Sequence, residues 1–250
     1  MEVALYEECL QKIIHKRGDK IKALLLGATP ELRDLLAKYK IKTTLADINP
    51  NMIKAMGELL EYSDGKEDVV IANWLKIPSK SNEFDVVLCD HGIHHIFFEE
   101  WGNFFKEIKR LSKNGGYVLN SVVTVEEAEK LDLEQIVDVY RNNIFTLENR
   151  WYYAYRFCCG LKDIENKRFY KNLAEMNLQL RNFLKQGKIS QKEFNFLELP
   201  FAISEFKFVM PTKEEVDEIS AKYFKIKSVN VSFAHPMLTC HKIYFGQFEK

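Results

Sequence analysis

Three short stretches hold residues whose types and spacing could do chemistry. In Leu24-Leu25-Leu26-Gly27-Ala28-Thr29-Pro30-Glu31 an apolar run ends on a glycine and a helix start follows. A residue without Cβ lets the backbone approach a ligand closely, and the free N–H groups of a helix opening at Thr29 suit a carboxylate or a phosphate. Asp47 ends a second apolar run, twenty residues after Gly27, the distance at which an acid reaches the ribose hydroxyls of a bound nucleoside. The third stretch is Asp90-His91-Gly92-Ile93-His94-His95. Histidine titrates near neutral pH, so His91 or His94 could take a proton from an acceptor. No metal is expected, because no carboxylate or cysteine completes a familiar ligand spacing around the three histidines.

These stretches need elements to hold them. Leu5 to about Lys16 repeats apolar residues at helical spacing and stops at Gly18. Lys22–Gly27 is a continuous apolar run, the signature of a strand covered on both faces. Thr29 reads as an N-cap, with Pro30 and Glu31 in the first turn ahead of Leu32, Leu35, Leu36 and Tyr39. The pattern repeats: Thr43–Ile48 is a strand and Asn49-Pro50 caps a helix. Asp68–Ala72 and Phe84–Cys89 are strands, Trp101–Leu111 is a helix, and Asn114-Gly115-Gly116 turns into the strand Tyr117–Val123. After a further helix from Pro211, Ile226–Phe233 and His241–Phe248 alternate as an antiparallel pair. The class is α/β: a doubly wound, mostly parallel seven-stranded sheet with a C-terminal antiparallel hairpin and a helical insertion.

With Ala72-Asn73-Trp74 after the third strand, Asp90 after the fourth and Asn114-Gly115-Gly116 before the fifth, the series resembles the class I S-adenosylmethionine-dependent methyltransferases. The resemblance covers about residues 20 to 123 and 205 to 250. It implies that S-adenosylmethionine is the cofactor, that Gly27, Ala28 and Thr29 face its methionine part and that Asp47 holds the ribose. It further implies that Asn73 meets the adenine edge between Ile48 and Trp74, and that Asp90 closes the site near the sulfonium. The chain departs from the family in its turn, which has one glycine, and in Leu25, which stands where an acid usually takes the ammonium; Glu31 is the candidate to replace that acid. The acceptor side is expected at His91 and His94, with direct in-line displacement onto a small molecule.

Residues 1–123 and 201–250 thus form the core, and residues 124–200 form the insertion, with capping boxes at Thr124 to Glu127 and Ser190 to Glu193. The insertion carries Tyr140, Phe145, Trp151, Tyr152, Tyr153, Tyr155 and Phe157, flanked by Arg150 and Arg156, aromatic material for an acceptor wall or for packing the cap. The whole chain of 250 residues has 36 basic and 36 acidic side chains, which argues against a nucleic-acid partner. No stretch reaches the roughly 18 apolar residues of a membrane span. Five cysteines without a C-x-x-C pair suit a reducing compartment, so the expected location is cytoplasmic. Two other readings stay open. A nicotinamide-dependent oxidoreductase shares the glycine-to-acid spacing but needs more glycines, and a non-catalytic binding protein could keep the fold.

Overall fold

The computed structural model describes residues 3–18, 20–62, 67–124, 132–142, 162–163, 168–171, 173–198, 208–231 and 241–249. The chain divides into two compact units, one of residues 1–123, 214–235 and 241–250 and one of residues 124–213 and 236–240.

The first unit opens with helix α1 (Val3–Arg17) and then alternates: β1 (Lys22–Leu26), α2 (Pro30–Lys38), β2 (Lys42–Asp47), α3 (Pro50–Gly57), β3 (Asp68–Ile71), β4 (Phe84–Asp90). Two short 3-10 turns, Gly92–His95 and Phe98–Glu100, lead into α4 (Trp101–Leu111) and β5 (Ser112–Val123). The sheet closes with β9 (Lys225–Val231) and β10 (His241–Gln247), numbered after three strands of the second unit. The spatial order is β3-β2-β1-β4-β5-β10-β9. Strands β1 to β5 run parallel, and β10 lies antiparallel to both β5 and β9. Seven strands, mostly parallel, with an antiparallel closing pair are what the apolar runs led one to expect.

The reasons are local. Ala23 to Leu26 and Phe84 to Cys89 are buried throughout, as strands covered on both faces must be. On α4 the positions Trp101, Phe104, Phe105, Ile108 and Leu111 are all buried, a stripe at helical spacing. The side chain of Asn49 accepts from the N–H groups of Asn51 and Met52, and Pro50 takes the first helical position of α3, satisfying donors that helix starts leave open.

At the amino end of β4, Asp85 accepts from Arg17 at 2.9 Å, Lys113 at 2.8 Å and the Lys22 N–H at 2.9 Å. Burial alone would raise its carboxyl; the bonds from Lys113, Lys22 and Arg17 outweigh that and hold it below the ordinary range. A depressed carboxylate contributes stability above its unfolded pKa, and that contribution is lost as pH falls through the folded one. Asp85→Asn is therefore expected to cost about 1–3 kcal/mol near pH 7, and the gap from wild type should start to shrink below about pH 4 and close as pH falls through the depressed folded pKa, where the carboxyl becomes neutral. Urea midpoints at the two pH values measure it.

The second unit holds α5 (Leu133–Arg141), α6 (Leu173–Lys185) and α7 (Gln191–Leu197). The capping box expected at Ser190 and Glu193 is present, and Glu193 also pairs with Arg141 at 2.7 Å. Its carboxyl falls to about 2, first through the Arg141 bond and then through the Ser190 N–H. A second box, Asp132 with Gln135, starts α5. One difference from the sequence reading is a small antiparallel sheet, β6 (Lys162–Asp163), β7 (Arg168–Lys171) and β8 (Phe208–Met210), within and just beyond a stretch read as helical. Two to four residues are too few to show an alternation. Glu127, Phe145, Arg150, Trp151, Tyr152, Tyr153, Tyr155, Arg156 and Phe157 lie outside the described residues. Among the described residues no helix is long and apolar enough to cross a membrane.

Candidate active site

In an open sheet, ligands sit beyond the carboxyl ends of the strands where the strand order reverses, which here is between β1 and β4. Gly27 stands at that point with φ +93°, a backbone that a side chain would strain, and its N–H donates to the Ala46 carbonyl on β2 at 3.0 Å. Ala28 is buried. Thr29 takes the N-cap position, but its hydroxyl makes no capping bond, so the first-turn amides of α2 are not satisfied by it. Glu31 is in that first turn, exposed.

Asp47 ends β2, only 9 % exposed. One carboxylate oxygen accepts from the Asn49 N–H at 2.8 Å, which leaves further acceptor capacity on the group. Ile48 beside it is 66 % exposed, a large apolar side chain left in water. Asn73 is exposed and its side-chain oxygen closes its own turn by accepting from the Leu75 N–H at 2.9 Å; the carboxamide N–H groups are the donors that remain for an adenine edge.

Trp74 is the surprise. Its indole N–H donates to the Ala46 carbonyl at 2.8 Å, and its six-membered ring lies so close to Gly27 that a Cβ there would be 3.5 Å from it. The same ring would be 3.3 Å from a Cβ on Gly92. The indole thus spans the ends of β1 and β4. Asp47, the Asn73 carboxamide and the first-turn amides of α2 offer the acceptors and donors that an adenosyl group takes, while the half-buried indole is held over Gly27 by one hydrogen bond.

On the far side of β4, Asp90 accepts from the Ser121 hydroxyl at 2.6 Å, and the Ser121 oxygen accepts from the His91 N–H at 2.8 Å. His91 sits in the left-handed region with φ 55°, a conformation that persists in a non-glycine residue only where neighbours impose it. Its ring reaches His241, Nε2 to Nε2 3.1 Å. His94 goes elsewhere. It is 2 % exposed and its Nε2 accepts from the Val123 N–H at 3.0 Å, so the nitrogen that would take an acceptor proton already anchors the end of β5. Burial pushes the Cys89 thiol up to about 12, which keeps it protonated and inert.

The structure therefore groups Gly27, Asp47, Ile48, Asn73 and Trp74 around the switch point and Asp90 with His91 beyond β4. His241 belongs with the latter pair and was not singled out from the sequence. It lies 150 residues from His91, and nothing local marks it. Only the antiparallel placement of β10 against β5, which returns its first residue to the carboxyl ends, could have pointed there.

Residues 26–120 match the family model described as a methyltransferase domain. An uncharacterized protein of Methanocaldococcus jannaschii is 32 % identical over 95 residues, which are 38 % of this chain and 40 % of that protein. The chain thus aligns with well under half of that relative's length. Among solved structures, a Pyrococcus horikoshii protein superposes with a TM-score of 0.59 at 15 % identity, covering 100 % of this chain and 92 % of that one. The Burkholderia thailandensis 1,6-didemethyltoxoflavin N1-methyltransferase, solved with its substrate and S-adenosylhomocysteine, gives a TM-score of 0.56 at 10 % identity over 97 % of this chain and 77 % of that one. Other neighbours of the same fold are described as S-adenosylmethionine-dependent methyltransferases. The fold is that of the class I methyltransferases, and the methyltransferase-domain match spans the alternating part of the sheet unit.

Proposed function

We propose that this protein transfers a methyl group from S-adenosylmethionine to a small-molecule acceptor by direct in-line displacement. The observation that carries the reading is the pairing, at the reversal of strand order, of a left-handed glycine after β1 with a nearly buried carboxylate ending β2.

When bound, S-adenosylmethionine supplies a methyl group that is already activated, so the residues have to position and to exclude water. Asp47 accepts from the ribose hydroxyls. Ile48 supplies an apolar face for the adenine, and the Asn73 carboxamide meets its edge. Trp74, turned from its place over Gly27, covers the other face. Glu31 and the first-turn amides of α2 take the ammonium and carboxylate of the methionine part. Asp90, held by Ser121, sets its charge beside the positive sulfur. On the acceptor side His91 takes the acceptor's proton, and His94 positions β5 through the Val123 N–H. The buried thiols of Cys9 and Cys89 suit a cytoplasmic setting.

A second reading, a methyltransferase fold that has lost the methyl donor and binds another molecule without catalysing, is favoured by the indole lying over Gly27. Thermal shift with S-adenosylmethionine, S-adenosylhomocysteine and NADH in parallel separates the two. A ligand at 100 times its Kd adds about 2.7 kcal/mol, or roughly 5–10 °C for a chain of this size. The proposal expects that rise with both adenosyl ligands and none with NADH. A melting point unmoved by either would favour the second reading.

A further inference from the structure

His241 opens β10 opposite Val123 of β5, is 6 % exposed, and points its ring at His91, the ring centroids 4.8 Å apart. Asp90 completes the group: among the described residues, Asp90, His91 and His241 bring their ligand atoms within 4.8 Å of one another. We propose that these three residues form a binding site for a divalent first-row transition cation of the zinc, cobalt or iron kind.

Ligand chemistry selects the class. Two imidazoles and one carboxylate suit such cations, whereas magnesium and calcium favour oxygen donors throughout. The geometry agrees. Bonds from imidazole nitrogen to these cations are about 2.0–2.1 Å, so two nitrogens 3.1 Å apart subtend about 100° at a shared ion, between the octahedral and tetrahedral values. Asp90 needs a side-chain rotation moving its oxygen inward by about 1.5 Å to reach bonding distance.

The surroundings have the form of an outer shell. The Ser121 hydroxyl donates to the Asp90 carboxylate, as partners of metal-binding groups do, while its oxygen accepts from the His91 backbone N–H, so one side chain ties the carboxylate of one ligand to the main chain of another. The left-handed backbone of His91 is what turns its ring toward β10. With an ion bound, both imidazoles carry their proton on Nδ1 and the proton shared between the two Nε2 atoms moves there. Three protein ligands among the described residues leave a coordination position for a further group. On the methyl-transfer reading, on which this one consequence rests, Asp90 and His91 with the ion bound serve as its ligands in place of facing the sulfonium and taking a proton, and an acceptor hydroxyl entering that position would ionise near neutral pH.

The full chain, stripped of metal with a chelator and titrated with cobalt(II) alone, tests the proposal by dialysis and visible absorption. One ion per chain is expected at micromolar cobalt, with a ligand-field spectrum and no thiolate charge-transfer band. His241→Gln and His91→Asn, the latter because asparagine tolerates the left-handed region, should each weaken binding more than about 100-fold, beyond the loss from outer-shell changes. His95→Ala, at an exposed neighbour, should leave it unchanged. Circular dichroism shows which variants fold, and either folded one suffices. Absence of stoichiometric binding, equal affinity in the folded variants, or a thiolate band would overturn the site and leave the 3.1 Å contact a plain imidazole hydrogen bond. The methyl donor is absent from this assay, so cobalt binding without any response to S-adenosylhomocysteine would uphold the cation site while removing the methyltransferase reading.

Discussion

Asp47→Ala is expected to weaken S-adenosylhomocysteine binding by about 10- to 100-fold. Hydrogen bonds to a charged partner are worth about 1.5–3 kcal/mol, and each 1.4 kcal/mol is about tenfold in Kd. The carboxylate is nearly enclosed, so water competes poorly for it and the upper part of that range applies. The side chain has one structural duty, accepting from the Asn49 N–H at 2.8 Å, and α3 keeps its own cap through the Asn49 oxygen. Loss of the turn bond should lower unfolding free energy by about 1 kcal/mol. Asp47→Asn separates the roles, since its carbonyl oxygen can still accept from Asn49 but carries no charge. Calorimetric Kd values for the three proteins, with apo melting points beside them, give the result. Equal Kd values would show that the ribose is held elsewhere.

Gly92→Ala should be among the most destabilising single methyl additions in the core unit, about 2–3 kcal/mol. The new Cβ would lie 2.0 Å from the Cys89 Sγ and 3.3 Å from the Trp74 ring, and Cys89 is buried in the middle of the sheet. The sulfur cannot stay where it is. Cys89→Ala removes it, and the remaining Cβ lies at an ordinary 3.8 Å. The double variant Gly92→Ala/Cys89→Ala should therefore recover most of the loss, a coupling that additive sites do not show. Chemical denaturation of wild type, both single variants and the pair closes the cycle; additivity within about 0.5 kcal/mol would contradict the contact. Because the Trp74 ring must also give way, Gly92→Ala should alter Trp74 emission, measured by difference against Trp74→Phe.

Much of the core was legible because burial imposes period. The continuous apolar runs of β1 and β4 and the helical stripe of α4 left few alternatives, and Asn49-Pro50 and Ser190/Glu193 announced helix starts through chemistry that works within one turn. What stayed hidden depends on contacts between distant residues. No pattern in Lys162–Asp163 announces a strand, because its pairing is supplied by Arg168–Lys171 and, through that, Phe208–Met210. The rotamer of Trp74 is decided by the carbonyl of Ala46 on another strand. His94 looked equivalent to His91 from spacing, and only the fold gives His94 the Val123 amide as a partner. His241 needed the sheet order itself.

Isothermal titration of the full chain with S-adenosylhomocysteine goes straight to whether the residues at the carboxyl ends of β1 and β2 take an adenosyl group. One site per chain, with saturable heat and a change in Trp74 emission that vanishes in Trp74→Phe, is the expected outcome. Heat no larger than dilution, with the indole emission unmoved, would mean that Trp74 keeps its place over Gly27 and that no methyl donor binds.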